Sequence, residues 1–225
     1  MRRTESPPSN EEMVMPYDMI SLESLGTFML FGGIDGTTAF QACEFVIKAN
    51  MLQQSNNPLT FLINSTGGSV NDGFAIIDIM ETSRLPVQTI GTGIIASMGL
   101  LILSAGTPGT RVLTQNTEVM AHQWWGGMEG KFHELMAATN EHLRLKQMFI
   151  DHFKRHSSMT EKQINDILFA PSDRWLTPKE CKKYGLVDRV TEFLDIPRGP
   201  VPRPKKLTSR RSSAPAELLP DEELE

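Results

Sequence analysis

The chain has 225 residues, enough for one sizeable domain with tails and too few for two full domains to be the default. With 40% hydrophobic and 22% charged residues and a formal net charge of -5, the composition excludes a polycationic nucleic-acid binder, and no nucleic-acid partner is expected. Cys43 and Cys181 form no CxxC pair and belong to no clustered His/Cys spacing, so neither a disulfide framework nor a metal site is expected, and a reducing, cytoplasmic location is. No apolar run reaches the roughly 18 residues that span a membrane. The segment after Arg2-Arg3 carries Glu5, Glu11 and Glu12 where a signal peptide needs an apolar core.

Residues 1–16 are polar, contain Pro7, Pro8 and Pro16, and read as a mobile arm; residues 17–196 are expected to form the folded domain. Thr27–Phe31 predicts a strand closed by Gly32-Gly33. Thr37–Gln54 has apolar residues at helical spacing (Phe40, Cys43, Val46, Ile47, Met51) until Asn56-Asn57-Pro58 stops it. Leu59–Ile63 predicts a second strand, Asn64–Ser69 a loop, and Asn71–Ser83 a helix with Phe74, Ile77 and Met80 on one face. Val87–Ile90 predicts a third strand, followed by a helix beginning near Ser97. Arg111–Leu113 and Val119–Ala121 predict two short strands around the turn at Gln115-Asn116. This alternation predicts an α/β fold built from βαβ units with right-handed crossovers.

Lys131–His156 breaks the rhythm with a single helix of about 26 residues, or about 39 Å at 1.5 Å per residue, expected to project and pack against another subunit. Its four histidines, His133, His142, His152 and His156, include no HExxH pair and read as surface or interface residues in preference to ligands. The chain returns through Thr160–Phe169, a loop at Ala170–Asp173, a Thr177-capped helix ended by Gly185, and a strand at Leu186–Val190. Residues 197–225 hold six of the chain's 14 prolines, a basic-serine patch and an acidic end, the composition of a disordered tail. No GxxxxGK[ST] loop is present, so the chain is not expected to hydrolyse ATP or to need a cofactor.

Within Gly91–Ser104, Ser97 stands between the apolar residues Ile94-Ile95-Ala96 and Met98-Gly99-Leu100. At a strand-to-helix turn its hydroxyl would face the unpaired N–H groups of the first helical turn, where an oxyanion finds donors; the alternative is a buried serine bonded to its own helix. His122, at the end of the strand Val119–Ala121, is either an imidazole at a functional strand end or a structural histidine. Asp173 in PSDRW is either a working carboxylate or a surface partner of Arg174. Gly67-Gly68 either presents a backbone N–H and an edge for an extended peptide or makes a tight turn at positive φ. Hydroxyl, imidazole and carboxylate are the three groups that serine nucleophilic catalysis requires.

The order NSTGGSVNDGFAIID, GIIASMGLLILSAGTPGTR, VMAHQWWGGMEG, the long helix and PSDRWLTPKECKKYGLVD resembles the proteolytic subunit of the ATP-dependent Clp protease family (ClpP) over Tyr17–Val190. The resemblance implies Ser97 as nucleophile, His122 as general base, Asp173 as the orienting acid, and the backbone N–H groups of Gly68 and Met98 as the oxyanion hole. It implies that Gly126–Lys131, with Gly126 and Gly127, is the strand on which substrate lies, alongside Gly67. It further implies a crotonase-like superhelical core with the long helix as a handle, and two stacked heptameric rings. Unfolded polypeptides would be fed to the chamber by a separate Clp-family AAA+ unfoldase that consumes the ATP, and the arm before Tyr17 would form the axial gate.

Three features depart from the family pattern: Thr66 stands where proline is usual, Trp124-Trp125 replaces Pro-Leu, and the tail is an extension. They suggest altered side-chain preference and a divergent copy of phage or plastid type. The alternatives are a phage prohead protease on the same fold, a structural ring subunit, and a crotonase-type acyl-CoA binder, the last of which would not require Ser, His and Asp together.

Overall fold

Apolar strands alternating with amphipathic helices bury their surfaces by laying helices on a sheet. The computed structural model, which describes residues 21–52, 57–123 and 129–194, has this arrangement. The expected arm (1–16), the tail (197–225), Gly126 and Gly127 lie outside the described residues. After a 3-10 turn at Glu23–Leu25 come β1 (Thr27–Ile34), α1 (Gly36–Leu52), β2 (Leu59–Gly68), α2 (Val70–Thr82), β3 (Val87–Ala96) and α3 (Met98–Ser104). There follow β4 (Arg111–Thr114), β5 (Glu118–Ala121), α4 (Phe132–His156) and α5 (Glu161–Gln163), which continues into a π-helical turn at Ile164–Leu168. The last elements are β6 (Arg174–Leu176), α6 (Pro178–Lys183) and β7 (Arg189–Thr191).

The seven-stranded sheet runs β1-β2-β3-β4-β7 with all neighbours parallel, and a branch in which β5 joins β3 and β6 joins β5. The chain is therefore α/β, as the alternation predicts. β3 is shared: Thr89–Gly91 pair with β4, whereas Ile94–Ala96 pair with β5. A strand serving two neighbours must bend between them, and the bend falls at Gly91–Gly93. Gly93 has φ 64°, and a Cβ there would lie 2.8 Å from Asn64 Oδ1. That same oxygen accepts a 3.1 Å hydrogen bond from the Ile94 N–H, clipping the bend to β2.

The core lies against one face of the sheet, where alternate residues of β1, β2 and the first half of β3 are buried. Phe28, Phe45 and Phe61 meet with ring centroids 5.3–5.8 Å apart where α1 crosses β1 and β2, and Phe74 stacks on Phe149 at 5.7 Å where α2 meets α4. α4 has two characters. Up to Met148 none of its residues is buried, and Phe132, Met136 and Leu143 are exposed; Phe149, Ile150, His152 and Phe153 are buried at its carboxyl end. The helix, about 38 Å long by its 25 residues, thus leaves most of its length outside the core.

Several expectations change. Asn64–Gly68 is not a loop but the second half of β2, because Gly67 and Gly68 still pair with Gly33 and Ile34 after a register shift. β3 reaches Ala96 and not Ile90, and β6 forms where a loop-to-helix passage was expected, because β5 offers it an antiparallel edge. The last strand is Arg189–Thr191, with Leu186 and Val187 buried ahead of it. Residues 129–131 carry no strand, and Lys131 is the N-cap of α4. His152 is not a surface residue: it is fully buried, its Nε2 3.0 Å from both the Leu101 carbonyl and Ser104 Oγ, and burial first of all pushes its pKa down to about 3. The expected Thr177 cap is present, with Thr177 Oγ1 accepting from the Glu180 N–H (3.2 Å) and Glu180 Oε2 accepting from the Thr177 N–H (2.8 Å).

Arg111 ties the carboxyl end of the fold to the sheet. Its guanidinium donates to both carboxylate oxygens of Asp188, at 3.0 and 2.7 Å, and also to the carbonyls of Ser104 and His156. Asp188 further accepts from the N–H groups of Gly109 (2.7 Å) and Arg111 (3.0 Å). Burial opposes its ionisation, but the hydrogen bonds from Arg111 and these amides outweigh burial and hold its carboxyl below the usual range. The unfolded chain therefore binds the extra proton first as pH falls. The Asp188 contribution is complete above the unfolded value of about 3.9 and is lost as pH drops through the lower folded value. Asp188→Asn is expected to cost about 1 kcal/mol at pH 7, after allowance for partial exposure, and almost nothing near pH 2. Urea unfolding of both proteins across that range checks the convergence.

Candidate functional site

Three neighbouring strands end together, and the residue just past each end is one singled out by its chemistry. β3 ends at Ala96, β5 at Ala121, and β6, antiparallel to β5, begins at Arg174. The register pairs Ala96 with Met120 and Ala121 with Arg174. Ser97 thus follows the end of β3, where its N–H reaches Met120 of β5, while His122 follows the end of β5 and Asp173 precedes β6, although 51 residues separate the last two in sequence.

Ser97 is the only non-glycine residue at positive φ among the described residues, with φ 53° and ψ -126°. This conformation costs about 1–3 kcal/mol and persists only where surroundings over-determine it. Here the Ser97 N–H donates to the Met120 carbonyl (3.0 Å), and the Ser97 carbonyl accepts from Leu100 N–H (3.0 Å) as α3 begins. Gly67 lies directly behind: a Cβ on it would come within 2.5 Å of Ser97 Cβ and 3.0 Å of Met98 N. Gly68 is equally constrained, since its Cβ would sit 2.1 Å from the Ile34 carbonyl oxygen. Ser65, fully buried, donates to the Gly32 carbonyl (2.6 Å) and accepts from the Gly67 N–H (3.1 Å), which sets the backbone of the glycine pair.

These groups open on one cavity of about 420 Å³. Thr66, Gly67, Gly68, Ser97, Met98 and His122 form its polar rim and backbone wall, and Leu101, Phe149, Phe153, Leu168 and Phe169 its apolar side. Gln123 fastens the chain after His122 to the far side by donating from Nε2 to the Phe169 carbonyl at 2.9 Å. Ser97 and His122 are half-buried and Asp173 is exposed. The structure thus gathers Ser97, His122, Gly67, Gly68 and Met98 around one cavity. Asp173 stands outside its lining, and no hydrogen bond joins Ser97, His122 and Asp173 to one another. Arg174 pairs with Glu180 (3.4 Å), so the expected alternative partner of Asp173 is engaged elsewhere.

Ser65, Asn64 and Gln123 support this arrangement without having been singled out in the sequence. Each is a polar residue in a strand or a strand exit, and its task depends on a backbone group 30 or more positions away. The apolar wall was likewise invisible, because Phe149, Phe153 and Phe169 come from the far end of the chain.

The sequence model of the Clp protease family matches residues 12–193. ATP-dependent Clp protease proteolytic subunit 2 of Thermobifida fusca (strain YX) is 39% identical over 142 residues, which is 63% of this chain and 69% of that protein.

Gly67 and Gly109 separate packing from backbone freedom. Both have φ near +90°, but nothing lies within 4 Å of a Cβ at Gly109. Gly109→Ala is expected to cost about 1 kcal/mol from φ alone, and Gly67→Ala about 3 kcal/mol or more because Ser97 and Met98 must also move. Thermal unfolding of the two variants checks the difference.

Proposed function

Since the chain belongs to the Clp protease family, we propose that this proteolytic subunit is a serine endopeptidase with Ser97 as nucleophile, His122 as general base and Asp173 as the group that orients the imidazole. The observation that carries the proposal is the strained Ser97 at the β3–α3 junction, on the same cavity wall as His122 and the backbone of Gly67-Gly68. Register supports the role of Asp173, since Asp173 and His122 are the residues next to the Ala121–Arg174 pair on their respective strands.

In this mechanism Ser97 Oγ attacks the scissile carbonyl carbon while its proton passes to His122. The carbonyl oxygen becomes an oxyanion and accepts from the N–H groups of Gly68 and Met98, the latter free of an intrahelical partner as the first residue of α3. Collapse of the tetrahedral intermediate breaks the C–N bond, and His122 returns the proton to the departing amine. Water then attacks the acyl-enzyme with His122 again as base, releasing the carboxylic acid and restoring Ser97. The apolar side of the cavity favours substrates with an apolar side chain before the cut bond.

The same reading takes the subunits into two stacked heptameric rings, with unfolded polypeptide delivered by a Clp-family AAA+ unfoldase. The largely unburied length of α4, with Phe132, Met136 and Leu143 exposed, supports its role in joining subunits. No described helix is long and apolar enough to cross a membrane.

Ser97→Ala is expected to abolish peptide hydrolysis, a loss of at least about 10⁴-fold, without changing assembly size; a fluorophosphonate should label Ser97 in the wild type alone. Retained hydrolysis, or labelling of another residue, removes the mechanism. Degradation of a tagged folded substrate only when an AAA+ partner and ATP are added supports the unfoldase assignment. Cleavage of a scaffold protein with no such stimulation favours the prohead alternative.

A further inference from the structure

Away from the cavity, the carboxyl ends of α2 and α4 bring together Glu81, His152 and His156, whose candidate ligand atoms all lie within 4.8 Å of one another. We propose that these three residues bind a divalent transition-metal ion of the Zn2+ type, through one carboxylate and two imidazoles, with solvent in the remaining position.

His152 is the decisive member. Leu101 O can only accept a hydrogen bond, so the Nε2 facing it carries the proton, shared with Ser104 Oγ, and Nδ1 keeps its lone pair. This Nδ1 is buried and has no hydrogen-bond partner. A buried acceptor left in that state carries a desolvation penalty that a bound cation removes. The Nε2–H donating to a backbone carbonyl is also the outer contact that metal-ligating histidines use to fix tautomer and ring orientation.

The other two groups complete a donor set suited to this ion. His156 follows His152 by one helical turn on α4, with ring centroids 4.5 Å apart, and its Nε2 lies 2.8 Å from Glu81 Oε1. Two imidazoles and one carboxylate are a familiar set for Zn2+ with an open position. Tetrahedral bonds of about 2.0–2.2 Å set ligand atoms about 3.4 Å apart, so a pair at the 4.8 Å limit must close by about 1.4 Å and the 2.8 Å His156–Glu81 pair must open slightly. Glu81 is exposed and its side chain can make that movement, whereas His156 is largely buried against His152, which Phe74 and Phe153 hold edge-to-face. Two cations oppose the ion: Arg155, whose guanidinium is 3.9 Å from Glu81 Oε1 and exposed enough to swing away, and Arg111, which donates to the His156 carbonyl.

The test uses the full chain, stripped with a chelator and dialysed, then titrated with Zn2+ for metal content and with Co2+ for the visible absorption of a tetrahedral site. The expected result is one ion per chain and a thermal midpoint raised by about 5 °C or more at a hundredfold excess over Kd. Glu81→Gln, which keeps a hydrogen bond to His156 but removes the anionic oxygen, and His156→Gln should each weaken binding at least about tenfold. Arg155→Gln should tighten it several-fold. These variants alter the rim and avoid the void that His152→Ala would leave in the core. Absence of stoichiometric binding, or binding unchanged in both Glu81→Gln and His156→Gln, overturns the proposal. Neither readout depends on peptide hydrolysis, so the result is independent of the serine mechanism.

Discussion

At the junction of β3 and α3 a serine occupies backbone space normally left to glycine, and much of the surrounding structure is shaped by holding it there. The ladder from β5 fixes the Ser97 N–H, α3 uses its carbonyl, and Gly67 leaves just enough room behind it. The same crowding leaves no room for side chains nearby: a Cβ on Gly99 would lie 3.1 Å from the Ser65 carbonyl oxygen, and one on Gly73 of α2 would run into the Met98 side chain. A sharp strand-to-helix turn is thus braced by close backbone approaches on three sides, for which glycine is the residue that fits.

The second constraint is the divided loyalty of β3. Because its first half pairs with β4 and its second half with β5, the sheet separates into two directions at Gly91–Gly93. α3 and the cavity both begin where the β5-paired half ends, at Ser97 and Met98. The separation also sets β5 and β6 close to the end of β3, so that residues just past three strand ends become neighbours. A uniform parallel sheet without the branch would lack the β3–β5 and β5–β6 pairings that bring these strand ends together.

The carboxyl end of α4 extends this bracing to the far side of α3. His152 receives no solvent and caps the Leu101 carbonyl with Ser104, while Arg111 gathers the carbonyls of Ser104 and His156 together with Asp188. The helix is therefore anchored by polar contacts at one end and left largely unburied along the rest.

By itself the sequence determined what local patterning can encode. The α/β alternation, the helical period of α1 and α2, the long α4, the Thr177–Glu180 cap and the special character of Ser97 all follow from residues within a turn or two of one another. The motif order also made the family legible over most of the chain. Tertiary structure decided the rest, because it depends on pairing across distance. Whether NSTGG is loop or strand rests on β1 as partner, and β6 exists only because β5 offers an edge. His152 looks like any charged-helix histidine until α3 packs over it. That β3, β5 and β6 end beside one another is likewise a matter of register, since hydrogen-bonded ladders, and not sequence spacing, set which strand ends meet.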